Sequence, residues 1–403
     1  MEPRQLPEDP MIRELVRRAR AARVTRRTVL AGTSAGALAL ILAACTPDAP
    51  TKPTPAKDLS SSNKDMTWAN WQAYLDEDEN GDYPTLRTFE KKSGISVDYD
   101  VAVDDNEAYY AKVKGRLAAG KSIDADTVCL TDWMVARLIR LGYVQTFGTG
   151  AIPNKKNLTS ALRNPDFDPG RKKSLPWQSG YAGICWNKKA IPGGLENVSD
   201  LWDPSLNGKV GVLNDMRDTM GLILLDDGVD ISTTFTDDQY AAAIDVFSKQ
   251  VTDGQIRNVK SNSYLNDLKS GDTLAAIGWS GDITQLNAEA GDNWQFALPA
   301  RGGTLWSDNF VIPMGSARKA NAEKLINYYY EPEVAAKVAA WVNYITPVDG
   351  AKEAAAKIDP KLAEDQLIFP DAASLAQAHI FRTLTAAEEK RYQTAFQNVV
   401  LGA

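Results

Sequence analysis

From residue 66 onward, short β-like runs alternate with longer stretches in which apolar side chains return at helical spacing. Runs at 66–70, 95–101 and 126–130 predict strands, separated by predicted helices at 84–93 and 106–119. Further along, the pattern predicts strands at 210–213, 273–278 and 310–313, and helices at 237–251, 264–270, 319–330 and 333–342. Strands interleaved with helices in this way predict an α/β protein built in layers. No internal repeat is visible.

Ahead of this pattern the chain reads differently. Thr25-Arg26-Arg27-Thr28-Val29-Leu30 is a twin-arginine export motif, preceded by a basic stretch that includes Arg13, Arg17, Arg18, Arg20 and Arg23. The apolar run from Val29 to Ala44 falls short of the ~20 residues that span a bilayer as a helix, and it closes on Leu42-Ala43-Ala44-Cys45. Small residues before a cysteine suit a lipoprotein signal peptidase, so Cys45 is the expected site of lipidation and the anchor to the membrane. The chain is therefore expected to be folded, exported by the twin-arginine route and held at the outer face of the cytoplasmic membrane. From 46 to 65, four prolines alternate with small and charged residues, which predicts a flexible tether reaching about 25 Å.

Composition narrows the function. The whole chain holds 45 Lys/Arg and 52 Asp/Glu; removal of residues 1–44 takes away eight and four of these, leaving a formal charge of −11. That excess argues against nucleic-acid partners and permits cationic ligands. The single histidine, His379, removes most zinc sites and histidine-based catalytic groupings. Beyond Cys45 only Cys129 and Cys185 remain, each in an apolar run, which favours buried free thiols over a disulfide.

Three local motifs are set aside on geometric grounds. Gly115 to Ser122 matches the phosphate-loop pattern, but a predicted helix precedes it and a strand follows, the reverse of what aims helix amides at phosphate. Asp76 to Asp82 resembles the start of a calcium loop whose twelfth position is Arg87 instead of a bidentate glutamate; an acidic surface insertion is expected, with no resident metal or cofactor. Tyr328, Tyr329 and Tyr330 point about 100° apart on a helix and cannot converge on one iron.

The chemistry gathers at predicted strand ends, where open α/β sheets place their ligand crevice. Trp71 and Tyr74 follow the first strand; Thr131, Asp132 and Trp133 follow the third; Asp215 and Asp218 follow the strand ending at 213. Trp279 closes the strand from 273, and Trp306 and Asp308 precede the one at 310. Indole faces beside carboxylates suit a flexible methylene chain with ammonium ends, the rings burying methylenes and the carboxylates meeting charge.

At these residues the chain resembles the spermidine/putrescine-binding proteins of bacterial polyamine importers. The resemblance covers nearly all of 66–403 and is carried by Asn70-Trp71…Tyr74, Asp200-Leu201-Trp202-x-Pro204-x-x-x-Gly208-Lys209-Val210, Trp306-x-Asp308 and Phe369-Pro370-Asp371-Ala372. It implies that Trp71, Tyr74, Trp133, Trp279 and Trp306 wall the ligand, that Asp308 binds one ammonium, and that Asp215 with Asp218 binds the other amine end. Tyr344 would add a ring or hydroxyl and Thr131 a small polar contact. Asp132 and Phe381 depart from the family pattern.

The resemblance further implies a type II periplasmic-binding-protein-like fold of two hinge-linked lobes. The expected division is a signal peptide at 1–44, anchor and tether at 45–65, lobe 1 at 66–176 plus 309–345, and lobe 2 at 177–308 plus 346–403. Crossings are expected near 176–179, 306–309 and 344–348. The expected role is capture of putrescine or spermidine by a monomer and delivery to an ABC permease, with no chemistry done on the ligand. Alternatives are the same fold holding another cationic or sugar-like solute, and an exported glycoside hydrolase using Asp215 or Asp308.

Overall fold

The computed structural model describes residues 52–402. The expectations for the export motif, the apolar run and Cys45 lie outside the described residues. Within them, no helix is long and apolar enough to cross a membrane.

Ten strands form one mixed sheet: β1 (Asp65–Trp71), β2 (Ser96–Val103), β3 (Thr127–Thr131), β4 (Ser174–Asn187), β5 (Val210–Leu213), β6 (Ile256–Lys260), β7 (Ala275–Trp279), β8 (Trp294–Ala297), β9 (Gly303–Val311) and β10 (Ala378–His379). Their order is β2-β1-β3-β9-β4-β7-β5-β6, with β8 added on β4 and β10 on β9. The outer strands at each end run parallel to their neighbours, as crossover helices require. The long strands β4 and β9 run antiparallel to each other through the middle. One end of β9 pairs with β3, while the far half of β4 pairs with β7 and β8, so these two strands serve both halves.

Hydrophobic burial divides in the same place. One group of core side chains joins Tyr181 to Phe296 with Ile345 and Leu384 to Phe396. Two others, built around Trp68, Phe310 and Tyr329 and around Val113, Leu130 and Val135, fill the remainder. The three segments expected to cross lie side by side. Gln178 and Ser179 pair with Asp308 and Ser307, and Ser179 exchanges hydrogen bonds with Ile345 at 2.9 and 2.7 Å. Pro176, which has no N–H to give a ladder, sits at the register shift in β4.

Two expectations about the chain's division change. The segment 346–369 was expected with the second half, yet Val348, Ala351, Ala355, Ile368 and Phe369 pack in the core built around Trp68 and Phe310. The small alanine face of the helix Ala351–Ile358 lets it lie close against the helix Pro332–Val342. The tether expectation fails from residue 52 onward. Ala56 and Leu59 donate backbone hydrogen bonds to Met314 and Ala317, both at 2.8 Å, and the Ser60 hydroxyl accepts from the Asn321 amide at 3.2 Å. A segment without apolar periodicity is thus ordered by hydrogen bonds to the surface it crosses.

The motifs set aside on sequence behave as backbone and packing features. The helix Asn106–Ala118 ends at Gly120, whose φ of 63° lets the Lys121 amide reach back to the Arg116 carbonyl at 2.9 Å. Asp76 is not solvated as expected. It is buried and accepts from the Thr85 amide at 2.9 Å in the first turn of the helix Pro84–Ser93, while Asp78 accepts from the amides of Asn80 and Asp82. Among the described residues no three His, Cys, Asp or Glu side chains gather to hold a metal ion. Tyr328 and Tyr330 hydroxyls donate to the carbonyls of Thr85 and Pro176, inside the core. Cys129 and Cys185 are both free and buried.

Candidate functional site

Four strand-to-helix turns converge where the two halves of the sheet meet. Thr131 leads from β3 into the helix Asp132–Leu141, and Asp215 stands at the N-cap of Met216–Asp226 after β5. Trp279 leads from β7 into Ser280–Ala290, and Asp105 caps Asn106–Ala118 after β2. Each turn carries an acid at or just inside the helix start: Asp132, Asp215 with Asp218, Asp282 and Asp105. Carboxylates there are favoured by the partial positive charge of the helix end, so the same groups that start the helices make the region acidic.

Between the halves lies a cleft open to solvent, with about 720 Å³ of space when the solvent at its mouth is counted. It is lined by nine of the eleven residues expected from sequence: Trp71, Tyr74, Thr131, Asp215, Asp218, Trp279, Trp306, Asp308 and Tyr344. No lysine or arginine lines it. Along β9, alternation puts Thr304, Trp306 and Asp308 on one face. Asp308 accepts from the Thr131 hydroxyl at 2.7 Å and from the Tyr74 hydroxyl at 2.8 Å, one on each oxygen. Thr131 occupies an N-cap position but makes no cap bond, its hydroxyl being given to Asp308. Ala73, at φ 53°, turns the chain between Trp71 and Tyr74.

The opposite wall is equally tied. Asp218 accepts from Thr304 Oγ1 at 2.6 Å and from the indole N–H of Trp279 at 2.8 Å, which fixes that ring. Asp215 accepts from the amides of Arg217 and Asp218 through Oδ1. Tyr344 stands between the walls, its ring edge-on to Trp306 at 5.0 Å and to Tyr74 at 5.8 Å. Its hydroxyl donates to Asp282 Oδ1 at 2.8 Å, while Asp282 Oδ2 is buried with no hydrogen-bond partner.

Burial raises the carboxyl pKa values despite these donors. Asp308 and Asp282 are each pushed up to about 6 by desolvation, against the hydroxyls that bond or approach them. Asp218 rises to about 8, through desolvation first and the neighbouring charge of Asp215 second. Such crowding of acids is costly in the free protein and is relieved by a cation.

Asp132 and Trp133 are not in this wall. They face a smaller adjoining cavity, which shares Thr131, Asp215, Asp218 and Trp306 with the cleft and is lined also by Arg217, Thr304 and Phe381. The Trp133 ring is covered by the guanidinium of Arg217 at 4.3 Å and by that of Arg137 at 5.2 Å. A helix start allows a side chain to turn either way, and these two arginines take this indole. Sequence reasoning missed Asp105, Gln72, Asn262, Asp282 and Gln285, which also line the cleft. Asp282 lies three positions beyond Trp279, so extending the strand-end rule into the first helical turn would have found it.

Gly180 on β4 leaves the room this arrangement needs. A Cβ there would stand 2.4 Å from Trp306 Cζ2 and 2.7 Å from Tyr344 Cδ1. Gly180→Ala is therefore expected to displace both rings, costing about 1–3 kcal/mol of stability through overpacking. Thermal melting with tryptophan fluorescence checks this: an unchanged midpoint and spectrum would show that the rings yield freely.

A sheet of two halves joined by long shared strands, with an acid and indole cleft between them, defines a solute-binding protein. A family model described as bacterial extracellular solute-binding protein matches residues 85–369, and the chain belongs to this family. The putrescine-binding periplasmic protein PotF of Escherichia coli is 30% identical over 332 residues, covering 78% of this chain and 85% of that protein. The spermidine/putrescine-binding periplasmic protein of Escherichia coli is 26% identical over 370 residues, covering 92% and 97%. The spermidine/putrescine substrate-binding protein PotD of Streptococcus pneumoniae superimposes with a TM-score of 0.70 at 24% identity, covering 84% of this chain and 99% of that one. The fold is thus the two-lobed, hinge-linked type II α/β fold, and the chain is a binding component of transport, not an enzyme.

Proposed function

We propose that this protein captures a linear polyamine of the putrescine or spermidine class in the interlobe cleft and presents it to an ABC permease. The observation that carries the reading is the lining: five indole or phenol rings and several carboxylates, with no cationic side chain among them. Trp71, Trp279, Trp306 and Tyr344 offer faces and edges to methylenes, while Asp308 and the pair Asp215 and Asp218 stand on opposite walls. Asp282, which also lines the cleft, adds a further carboxylate to the walls. The names of the relatives point to the same ligand class.

In this reading the core group from Tyr181 to Phe296 is one lobe and the groups around Trp68 and around Val113 form the other, and the cleft closes by bending at the crossings where 176–179, 306–309 and 344–346 run together. The Cys45 lipid, the twin-arginine route and a monomeric state complete it: a ligand carrier tethered at the outer face of the cytoplasmic membrane. Isothermal titration with putrescine, spermidine, spermine, arginine and maltose tests it. Micromolar or tighter binding of at least one polyamine is expected, with arginine and maltose silent. Heat from maltose or arginine alone would replace the polyamine by another solute.

A further inference from the structure

One buried carboxylate away from the cleft collects three arginines from both halves of the molecule. Glu389, on the helix Ala386–Val400, belongs with the core group that runs from Tyr181 to Phe296, as does Arg217 at the start of Met216–Asp226. Arg137 and Arg140 come from the helix Asp132–Leu141, which packs in the group around Val113, Leu130 and Val135. Arg137 Nη2 lies 3.1 Å from Glu389 Oε1, Arg140 Nη2 is 2.7 Å from Oε2, and Arg217 Nη2 is 3.2 Å from Oε1. Glu107 holds Arg137 from the other side at 2.6 Å. Arg217 is stacked on Trp133, an indole contributed by the opposite half.

This arrangement differs from a surface ion pair. The Glu389 side chain is 8% exposed and Arg217 is equally covered. Burial alone would raise the Glu389 carboxyl, but the charges of Arg137 and Arg217 and the bond from Arg140 hold it below its usual pKa. Separating the halves here would leave Arg217 and Glu389 without their partners across the gap. Trp133 would lose the guanidinium of Arg217 at the same time and keep that of Arg137, which lies on its own helix.

We propose that Glu389 is a positioning residue for ligand retention: with Arg137, Arg140 and Arg217 it latches the two lobes together, and Trp133 serves that latch instead of touching ligand. The inference rests on the reading of the core groups as closing lobes, but not on which solute they hold. It places the control of release in groups outside the cleft lining. A latch of charges also makes release faster as salt rises, since screening weakens the pairs at its rim.

Glu389→Gln tests it through two readouts that a purely structural role would not move together. Small-angle scattering of the ligand-free variant is expected to show a larger radius of gyration than the wild type. Stopped-flow release of putrescine is expected to be about tenfold faster, with the association rate within about twofold of wild type. If Glu389→Gln fails to fold, Arg140→Gln replaces it. Arg140 is 36% exposed at the network's rim, and its loss is expected to speed release about threefold. A variant that folds but keeps the wild-type radius and release rate overturns the latch. If the wild type binds no polyamine while the variant still expands, the latch stands and the polyamine reading falls.

Discussion

Replacing Asp308 by asparagine is expected to weaken putrescine or spermidine binding by about tenfold to a hundredfold, as loss of a charge-assisted bond to a buried ammonium implies. The expectation follows from how this carboxylate is held. Thr131 and Tyr74 each donate to one oxygen, leaving the remaining lone pairs free to accept from a ligand. The side chain is 5% exposed, so little water would replace what the ligand loses. Asparagine keeps the shape and removes the charge, and removing a buried charge does not harm the free protein. Thermal melting should therefore stay level or rise while titration calorimetry shows the loss. Asp132→Asn is the companion measurement. Asp132 lies behind the wall beside Trp133, so affinity is expected to change by less than about threefold. Unchanged affinity in Asp308→Asn would take that residue out of the site, and a large loss in Asp132→Asn would mean the two cavities act as one.

The elements that sequence made legible are those with one buried and one exposed face. The helix Pro84–Ser93 has the predicted bounds, and Lys319–Tyr329 and Pro332–Val342 differ by one residue at one end. What escaped was buried on every side or broken by special residues. The helix Met216–Asp226 is covered almost all round, so its apolar pattern has no preferred side. Strand β4 is buried along nearly its whole length and contains Pro176, Gly180 and Gly183, which erase alternation. Most cleft residues were found because α/β sheets put ligands at strand ends. Trp133 falls outside the cleft lining because its direction depends on Arg137 and Arg217, the latter 84 positions away in the chain and invisible to local pattern. The segment from residue 52 escaped for a similar reason: backbone bonds to Met314 and Ala317 hold it, and composition does not encode those.

Lowering the pH from about 8 to about 5 is expected to weaken polyamine binding by tenfold or more while making the free protein more stable. The two effects have one origin and opposite signs. Asp308 and Asp282 titrate near 6 and Asp218 near 8, each raised first of all by burial. A raised carboxyl binds more protons in the folded state than in the unfolded one between its unfolded and folded pKa values. Folding stability therefore falls as pH rises from about 4 to about 8, and the free protein is favoured by mild acid in that window. Ligand binding runs the other way, because an ammonium needs the ionised form. At pH 5 the groups near 6 are about nine-tenths protonated, and each proton must leave before its amine can be gripped, a penalty of about tenfold per group. A bound cation in turn lowers these pKa values, so binding near pH 6 should release protons. Calorimetry in two buffers of different ionisation heat measures that release directly, and melting of the free protein from pH 4.5 to 8.5 measures the other arm. Affinity that is flat across this range, with no proton release, would mean the ligand's charges are met by groups other than these buried carboxylates.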